Sequence, residues 1–415
     1  MKFYIDPGTG SMLFTIFIGI LSAGIYAFRD VFLKLRFIIS GGNVAKNDST
    51  RLPYVIFTDS KRYWNLFGPI CDEFEKRGQK IVYMTASPDD PALQCDYKHV
   101  ECQFIGEGNK AFAKLNLLKA DIVLSTTPGL DVYQWKRSKD VKWYAHVLHA
   151  ANDPMAYRMF GLDYYDAVLL SGEYQISQQR ELERLRNLPA KELPIVGLTY
   201  MDEMLKRLKE TEVPEKKYPV TVLLAPSWGA NSIFSRFGGK IIDVLLETGY
   251  HIIVRPHPQS FTSDKKILDQ LMDEYPNSDQ LEWNSDNDNF DVLNRSDILI
   301  SDFSGVIFDF SLVFDKPIIY TDTNYDKSEF DACWVDQKLW TFTTLPKIGQ
   351  KLTIDELDQL KDLIDNCLHN EKYKVARNNA RAETWEHMGE ATVRTVDYLM
   401  DKYEELNVDH QSSAK

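Results

Sequence analysis

The stretch DILISDFSGVIFDF, Asp297–Phe310, holds a strand, a tight turn and the start of a helix. Ile298, Leu299 and Ile300 form a continuous apolar run, the pattern of a parallel strand buried on both faces. Ser301-Asp302-Phe303-Ser304-Gly305 is small and polar, as a turn requires. Val306, Ile307, Phe310, Val313 and Phe314 then recur at helical spacing. A strand that turns straight into a helix aims free backbone N–H groups and the positive end of the helix dipole at an anion. In this reading Ser304 caps the helix or donates its hydroxyl to a phosphate oxygen. Gly305 lets a ligand approach the backbone closely. Ser301, Asp302, Ser304 and Gly305 are therefore substrate-binding candidates, although an ordinary strand–helix turn with a serine cap is written in the same letters.

A second strand end carries complementary chemistry. Gly249–Pro258, GYHIIVRPHP, is an apolar run closed by Arg255-Pro256-His257-Pro258. The two prolines stiffen the loop and stop the ladder. Arg255 supplies a forked donor suited to phosphate, and His257 donates hydrogen bonds or moves a proton. Ala225-Pro226-Ser227-Trp228-Gly229 ends a third apolar run. There Ser227 can donate to a phosphate, and Trp228 either stacks on a base or packs in the core.

Outward from these stretches, strand and helix signals alternate along the chain. Strands are predicted at Tyr54–Phe57, Lys80–Met84, Val100–Ile105, Asp121–Ser125, Trp143–Leu148, Ala167–Leu170 and Pro194–Gly197. A second series follows at Val220–Ala225, Gly249–Val254, Asp297–Ile300 and Pro317–Tyr320, with helices between. Repeated βαβ units imply parallel, doubly wound sheets. The charged, proline-bearing stretch Lys209–Tyr218 separates two such series. The chain is thus read as an α/β protein of two Rossmann-like halves, residues 40–212 and 213–408, facing each other across a cleft. A flexible tail, 409–415, ends it.

Before the first half, Pro7–Phe28 carries no charge, and Ser11–Phe28 is mostly apolar. Eighteen helical residues span about 27 Å, enough for a bilayer core. Arg29, Lys34 and Arg36 follow at once, against Lys2 alone before it. That bias places the N-terminus outside and the remainder in the cytoplasm. Residues 1–39 are accordingly read as a single-pass anchor in the cell membrane, with an interfacial or re-entrant hairpin as the alternative. A net charge of −13 and a pI near 5.2 argue against a nucleic-acid partner. The five cysteines are scattered, with no CxxC and no Cys/His pair at zinc spacing, so reduced thiols and no metal site are expected. GxGxxG, P-loop and HExxH motifs are also missing from the sequence, and no cofactor is expected.

In the first half, Tyr144–Ala150 carries two histidines three residues apart. On an extended chain His146 and His149 point to opposite faces. His149, at the strand end, is the better placed for a cleft. Asp153 and Arg158 follow it as further substrate-binding candidates. A histidine base assisted by a carboxylate suits deprotonation of an alcohol.

Together these motifs resemble the CDP-glycerol glycerophosphotransferase family of teichoic acid biosynthesis. The resemblance covers about residues 140 to 345. It rests on Ala225–Trp228 (APSW), Arg255–Pro258 (RPHP), SDFSGVIFDF followed by Lys316–Tyr320 (KPIIY), and Val196–Asp202 (VGLTYMD). It implies a GT-B fold with a CDP-alditol donor in the second half and a hydroxyl acceptor, lipid-linked or polymeric, in the first. Carried over by position, His257, Ser304 and Gly305 face the donor phosphates, and His149 takes the place of the acceptor-side base. Where the family commonly has Trp-His-Gly, this chain has Leu148-His149-Ala150. The implied reaction moves glycerol phosphate, or a similar alditol phosphate, onto the acceptor and releases CMP. A UDP-sugar glycosyltransferase or epimerase, and an inactive membrane-tethered scaffold, are the rival readings.

Overall fold

Ten of the eleven predicted strands form, each in one of two parallel sheets. The structure, a computed structural model, describes residues 51–413 apart from 213–215, 287 and 322–325. The expected anchor, residues 1–39, lies outside the described residues. Among those described, no helix is long and apolar enough to cross a membrane.

The first half contains β1 (Leu52–Thr58), β2 (Ile81–Thr85), β3 (Val100–Phe104), β4 (Ala120–Ser125), β5 (Val141–Val147) and β6 (Ala167–Leu169). Their spatial order is β3-β2-β1-β4-β5-β6. The second half contains β7 (Thr221–Leu224), β8 (His251–Val254), β9 (Leu281–Trp283), β10 (Ile298–Ser301), β11 (Ile318–Thr321) and β12 (Gln350–Leu352). Their order, β12-β11-β10-β7-β8-β9, repeats the first when each half is counted from its own first strand. In both halves the order reverses beside the first strand, and α/β sheets open a ligand crevice at that switch point. The central strands explain why these runs are apolar throughout. Val55 lies in register between Val82 and Val123, and Leu299 between Leu223 and Ile318. Side chains on both faces of such strands meet packed elements, not water.

One predicted strand is absent and two strands were not predicted. Pro194–Gly197 is not a strand: Ile195 makes one isolated bridge to Leu170. Pro194 has no N–H for a ladder, and Gly197 turns left-handed at φ +97° against the Glu386 carbonyl. The edge strands β9 and β12 escaped the sequence reading because each is three residues long and includes charged or polar positions.

The two halves share a core. Tyr200 and Met201, on the helix Thr199–Glu210, belong to the same buried cluster as Phe308, Phe310 and Val313 of the second half. The helix Ala391–Ser413 crosses back to the first half, where Val396 and Leu399 are fully buried. Arg77 pairs with Asp397 at 2.6 Å, and Tyr54 meets Tyr403 with ring centroids 5.0 Å apart. A strap after β11 also crosses over. The Asp331 N–H donates to the Tyr157 carbonyl at 2.9 Å, and the Asp331 carboxylate accepts from Phe160 N–H and Arg186.

Candidate active site

The carboxyl ends of the two sheets face each other across a cleft of about 400 Å³. From the second half come Ala225 and Pro226 after β7, Arg255–Pro258 after β8, and Ser304–Val306 after β10. From the first half come Arg62 and Tyr63 after β1, and His149, Ala150 and Asn152 after β5. His149, His257, Arg255, Ser304 and Gly305 are thus brought together from segments far apart in sequence.

On the second-half wall, two side chains of the SDFSG turn act as scaffolding. Ser301 is buried and its hydroxyl donates to the Ala225 carbonyl at 2.6 Å, tying β10 to β7. Asp302 is 1 % exposed and accepts from the backbone N–H groups of Ser227 (3.0 Å), Ile233 (3.2 Å) and Phe303 (2.7 Å). Burial raises its pKa, and these donors oppose the rise. The sequence reading put both residues on the ligand; here they hold the turn that carries Ser304. Ser227 is itself buried. Trp228 lies outside the cleft lining, its ring centroid 6.5 Å from that of His257.

Ser304 lines the cleft and does not cap the helix through its side chain. The cap residue is Gly305, at φ −57° and ψ −25°. That conformation does not demand glycine. A Cβ at Gly305 would meet only the Ala150 Cβ, at an ordinary 3.7 Å, so the missing side chain matters to whatever occupies the cleft. After one turn, Val306–Phe308, the helix widens into a π-helical turn, Asp309–Val313.

Arg255 directs its guanidinium at the Asn284 side-chain oxygen and, at 2.8 Å, at the Asp286 carbonyl. His257 is positioned by its own loop. Its N–H donates to the Pro226 carbonyl at 3.2 Å, and its Nδ1 accepts from Gln259 N–H at 3.1 Å. An accepting Nδ1 puts the proton of the neutral ring on Nε2. Burial, and secondly the charge of Arg62, lower the His257 pKa to about 4, so at neutral pH the ring is a neutral hydrogen-bond donor.

The opposite wall carries the complementary tautomer. Thr126 spends its one hydroxyl proton on the Val147 carbonyl at 2.7 Å. The same oxygen is 2.8 Å from His149 Nδ1, and two lone pairs at that distance would repel. Nδ1–H of His149 therefore donates to Thr126, and Nε2 keeps a free lone pair. Burial, then Arg62, lower the His149 pKa to about 4. Its ring lies 4.9 Å from that of Tyr63 and 5.8 Å from that of Tyr157. His146 was expected on the opposite face, yet its Nε2 lies 3.1 Å from the Tyr157 hydroxyl, which also lies 3.3 Å from His149 Nδ1. β5 ends at Val147, so strand alternation no longer governs His149.

Asp153 and Arg158 do not line the cleft. Asp153 is fully buried and accepts from Trp340 N–H, Thr341 N–H and the Thr341 hydroxyl at 2.7–2.9 Å, capping the helix Trp340–Ile348 from the other half. Arg158 is 62 % exposed, 3.9 Å from Glu329. Sequence reasoning overlooked Arg62, and also a buried pair in the cleft, Tyr200 donating to Asp309 at 2.5 Å. The only signal for Arg62 was a Lys-Arg doublet directly after an apolar strand. Among the described residues no group of His, Cys, Asp and Glu could hold a metal ion.

Residues 177–390 match the family model described as CDP-glycerol:poly(glycerophosphate) glycerophosphotransferase. The match takes in Arg255, His257, Ser304 and Gly305 but begins beyond His149, whose case rests on geometry. Over 165 residues the chain is 29 % identical to the minor teichoic acid biosynthesis protein GgaB of Bacillus subtilis (strain 168), a match covering 38 % of this chain and 15 % of that protein. Among solved structures, it is similar to the UDP-GlcNAc 2-epimerase of Methanocaldococcus jannaschii in complex with UDP-GlcNAc and UDP. There the TM-score is 0.55, with 14 % identity over 85 % of this chain and 99 % of that one. The UDP-N-acetylglucosamine 2-epimerase of Rickettsia bellii gives 0.55, with 12 % identity over 86 % and 98 %. At such identities the likeness shows the fold alone, a GT-B-like pair of Rossmann-type halves. Spanning just over half the chain and the whole second-half wall of the cleft, residues 177–390 show that this protein belongs to the CDP-glycerol:poly(glycerophosphate) glycerophosphotransferase family of transferases.

Proposed function

We propose that the protein transfers glycerol phosphate, or a similar alditol phosphate, from a CDP-alditol to an acceptor hydroxyl. His149 Nε2 takes the acceptor proton, and the alcohol oxygen attacks the β-phosphorus. The bond between that phosphorus and the bridging oxygen breaks, and CMP leaves with the bonding electron pair. A donor of charge −2 and a neutral alcohol thus become a phosphodiester of −1, CMP of −2 and one proton, held on His149. His257 Nε2–H, the Ser304 hydroxyl and the backbone at Gly305 donate to the phosphate oxygens as charge moves toward CMP. Arg255 supports the same wall. The single observation that carries this reading is the pair of neutral histidines in opposite tautomers, a base on one wall and a donor on the other.

The family match supports the donor class, and the name of the B. subtilis relative supports a place in teichoic-acid-like or capsular polymer synthesis. The uncharged stretch Pro7–Phe28 supports a tether at the cytoplasmic face of the cell membrane, where a lipid-linked acceptor would be carried. CMP release by the detergent-solubilised full chain, given CDP-glycerol and a membrane lipid extract, tests the reading. His257→Ala should fold normally and lower turnover by about 10²–10³. Unchanged turnover in that variant removes His257 from the site. Consumption of UDP-sugars in place of CDP-glycerol would move the protein to the glycosyltransferase class, and no turnover with any donor would leave a scaffold.

A further inference from the structure

The cleft has a charge imbalance that the two histidines do not resolve. A pyrophosphate diester brings two negative charges, and both imidazoles facing it are neutral. Of the charged side chains that line the cleft, Asp288 is paired with Arg207 at 2.7 Å, and Asp309 with the Tyr200 hydroxyl. Arg255 already serves Asn284 and Asp286. Arg62 is different. It sits in the 3₁₀ turn Lys61–Tyr63 directly after β1, where the Ser60 side chain accepts from the Arg62 N–H at 3.4 Å. Its Nε donates to the Ser60 hydroxyl at 3.2 Å, which fixes one edge of the guanidinium and leaves both Nη groups available. Among the described residues no carboxylate lies within ion-pair distance of it. The neighbouring Lys61, by contrast, is paired with Asp89. Arg62 lowers the pKa of both His149 and His257, so its charge is felt on both walls.

We propose that Arg62 is a catalytic residue contributed by the acceptor half, its free Nη groups binding the donor's phosphate oxygens opposite His257 and the Ser304–Gly305 turn. An arginine fork matches two phosphate oxygens at once, and a charge-assisted pair in a partly closed cleft is stronger than a neutral one. The donor would then be held by one half through its helix-start turn and by the other through Arg62. The acceptor wall would thereby reach its phosphorus target with the leaving group already neutralised. This inference rests on the phosphotransfer reading, and the test separates the two.

Full-length wild type, Arg62→Ala and Arg62→Lys are compared by calorimetric titration with inorganic pyrophosphate and with CDP, and by CMP release from CDP-glycerol. Because Arg62 is exposed and unpaired with any carboxylate, Arg62→Ala should melt at the wild-type temperature. It should weaken pyrophosphate and CDP binding by about tenfold or more and lower kcat/KM by about 10²–10³. Arg62→Lys should recover part of both, since a point charge lacks the fork. Added guanidinium should partly restore turnover in Arg62→Ala and not in His257→Ala. If Arg62→Ala binds pyrophosphate and CDP like wild type and releases CMP at the same rate, the proposal is overturned. If wild type turns over no CDP-glycerol while Arg62→Ala still loses pyrophosphate binding, the anion site stands and the donor reading falls.

Discussion

At His149 a single hydroxyl sets the tautomer. Thr126 is buried and close in shape to valine, so Thr126→Val removes the acceptor for Nδ1–H with little change in packing. The ring is then free to take the other tautomer, with its lone pair pointing away from the cleft. Loss of a whole general base costs about 10²–10⁴ in rate, and loss of its tautomer control should cost less, on the order of 10–10² in kcat. KM for the donor should not move, because Thr126 does not reach the second-half wall. Steady-state kinetics of the two proteins decide it, and an unaltered kcat would show that the tautomer is set elsewhere. None of this was legible in the letters around His149. Thr126 lies on the neighbouring strand's end, and only sheet pairing brings it within 2.8 Å.

At the scale of elements, the helix after the SDFSG turn shows what apolar spacing conveys and what it omits. Ile307, Phe310 and Val313 do face the core, as their spacing required. The same spacing accommodates a backbone that widens into a π turn, so the widening at Asp309–Val313 left no mark in the sequence. Asp309 is consequently buried against Tyr200 of the helix Thr199–Glu210, and burial pushes its carboxyl up to about 6. A carboxyl whose folded pKa exceeds its unfolded value binds more protons when folded between pH 3.8 and about 6. Wild type therefore loses stability relative to an uncharged variant as pH rises through that window. Asp309→Asn, which keeps an acceptor for the Tyr200 hydroxyl, should gain in relative stability between pH 4 and pH 8. Urea unfolding midpoints of both proteins at the two pH values measure this, and a constant difference would show that Asp309 does not titrate there.

For the molecule as a whole, the halves are not independent in the way the linker suggested. The sequence places Ala391–Ser413 at the end of the second series, yet this helix covers the first. Val396 and Leu399 are buried there, and Lys402 donates to Glu192 at 2.6 Å. A chain ending at Glu390 would uncover that apolar face and leave Glu192 without its partner. The first half should then be cut by protease while the second resists, even though the deletion lies 179 residues beyond the boundary at 212. Mass spectrometry of a limited digest would show it; equal resistance of both halves would mean that the helix contributes little to the first. The strap that brings Asp331 to Arg186 is a second crossing of the same kind, between buried partners 2.5 Å apart. Such crossings tie together the two halves whose strand ends line the cleft.

The sequence by itself determined ten of the twelve strands among the described residues, the doubly wound class, and the loop ends that reach the cleft. Each of these depends on local periodicity and on Gly and Pro placement, which neighbouring letters record directly. The roles of Ser301, Asp302 and Asp153, polar letters that looked like ligand contacts, were decided by the tertiary structure. There they satisfy backbone N–H groups that packing has cut off from water. Arg62, Thr126 and Asp309 were decided the same way, each by partners from a distant segment. Burial, hydrogen-bond satisfaction and charge balance belong to the space between elements, and that space exists only after the two sheets have met.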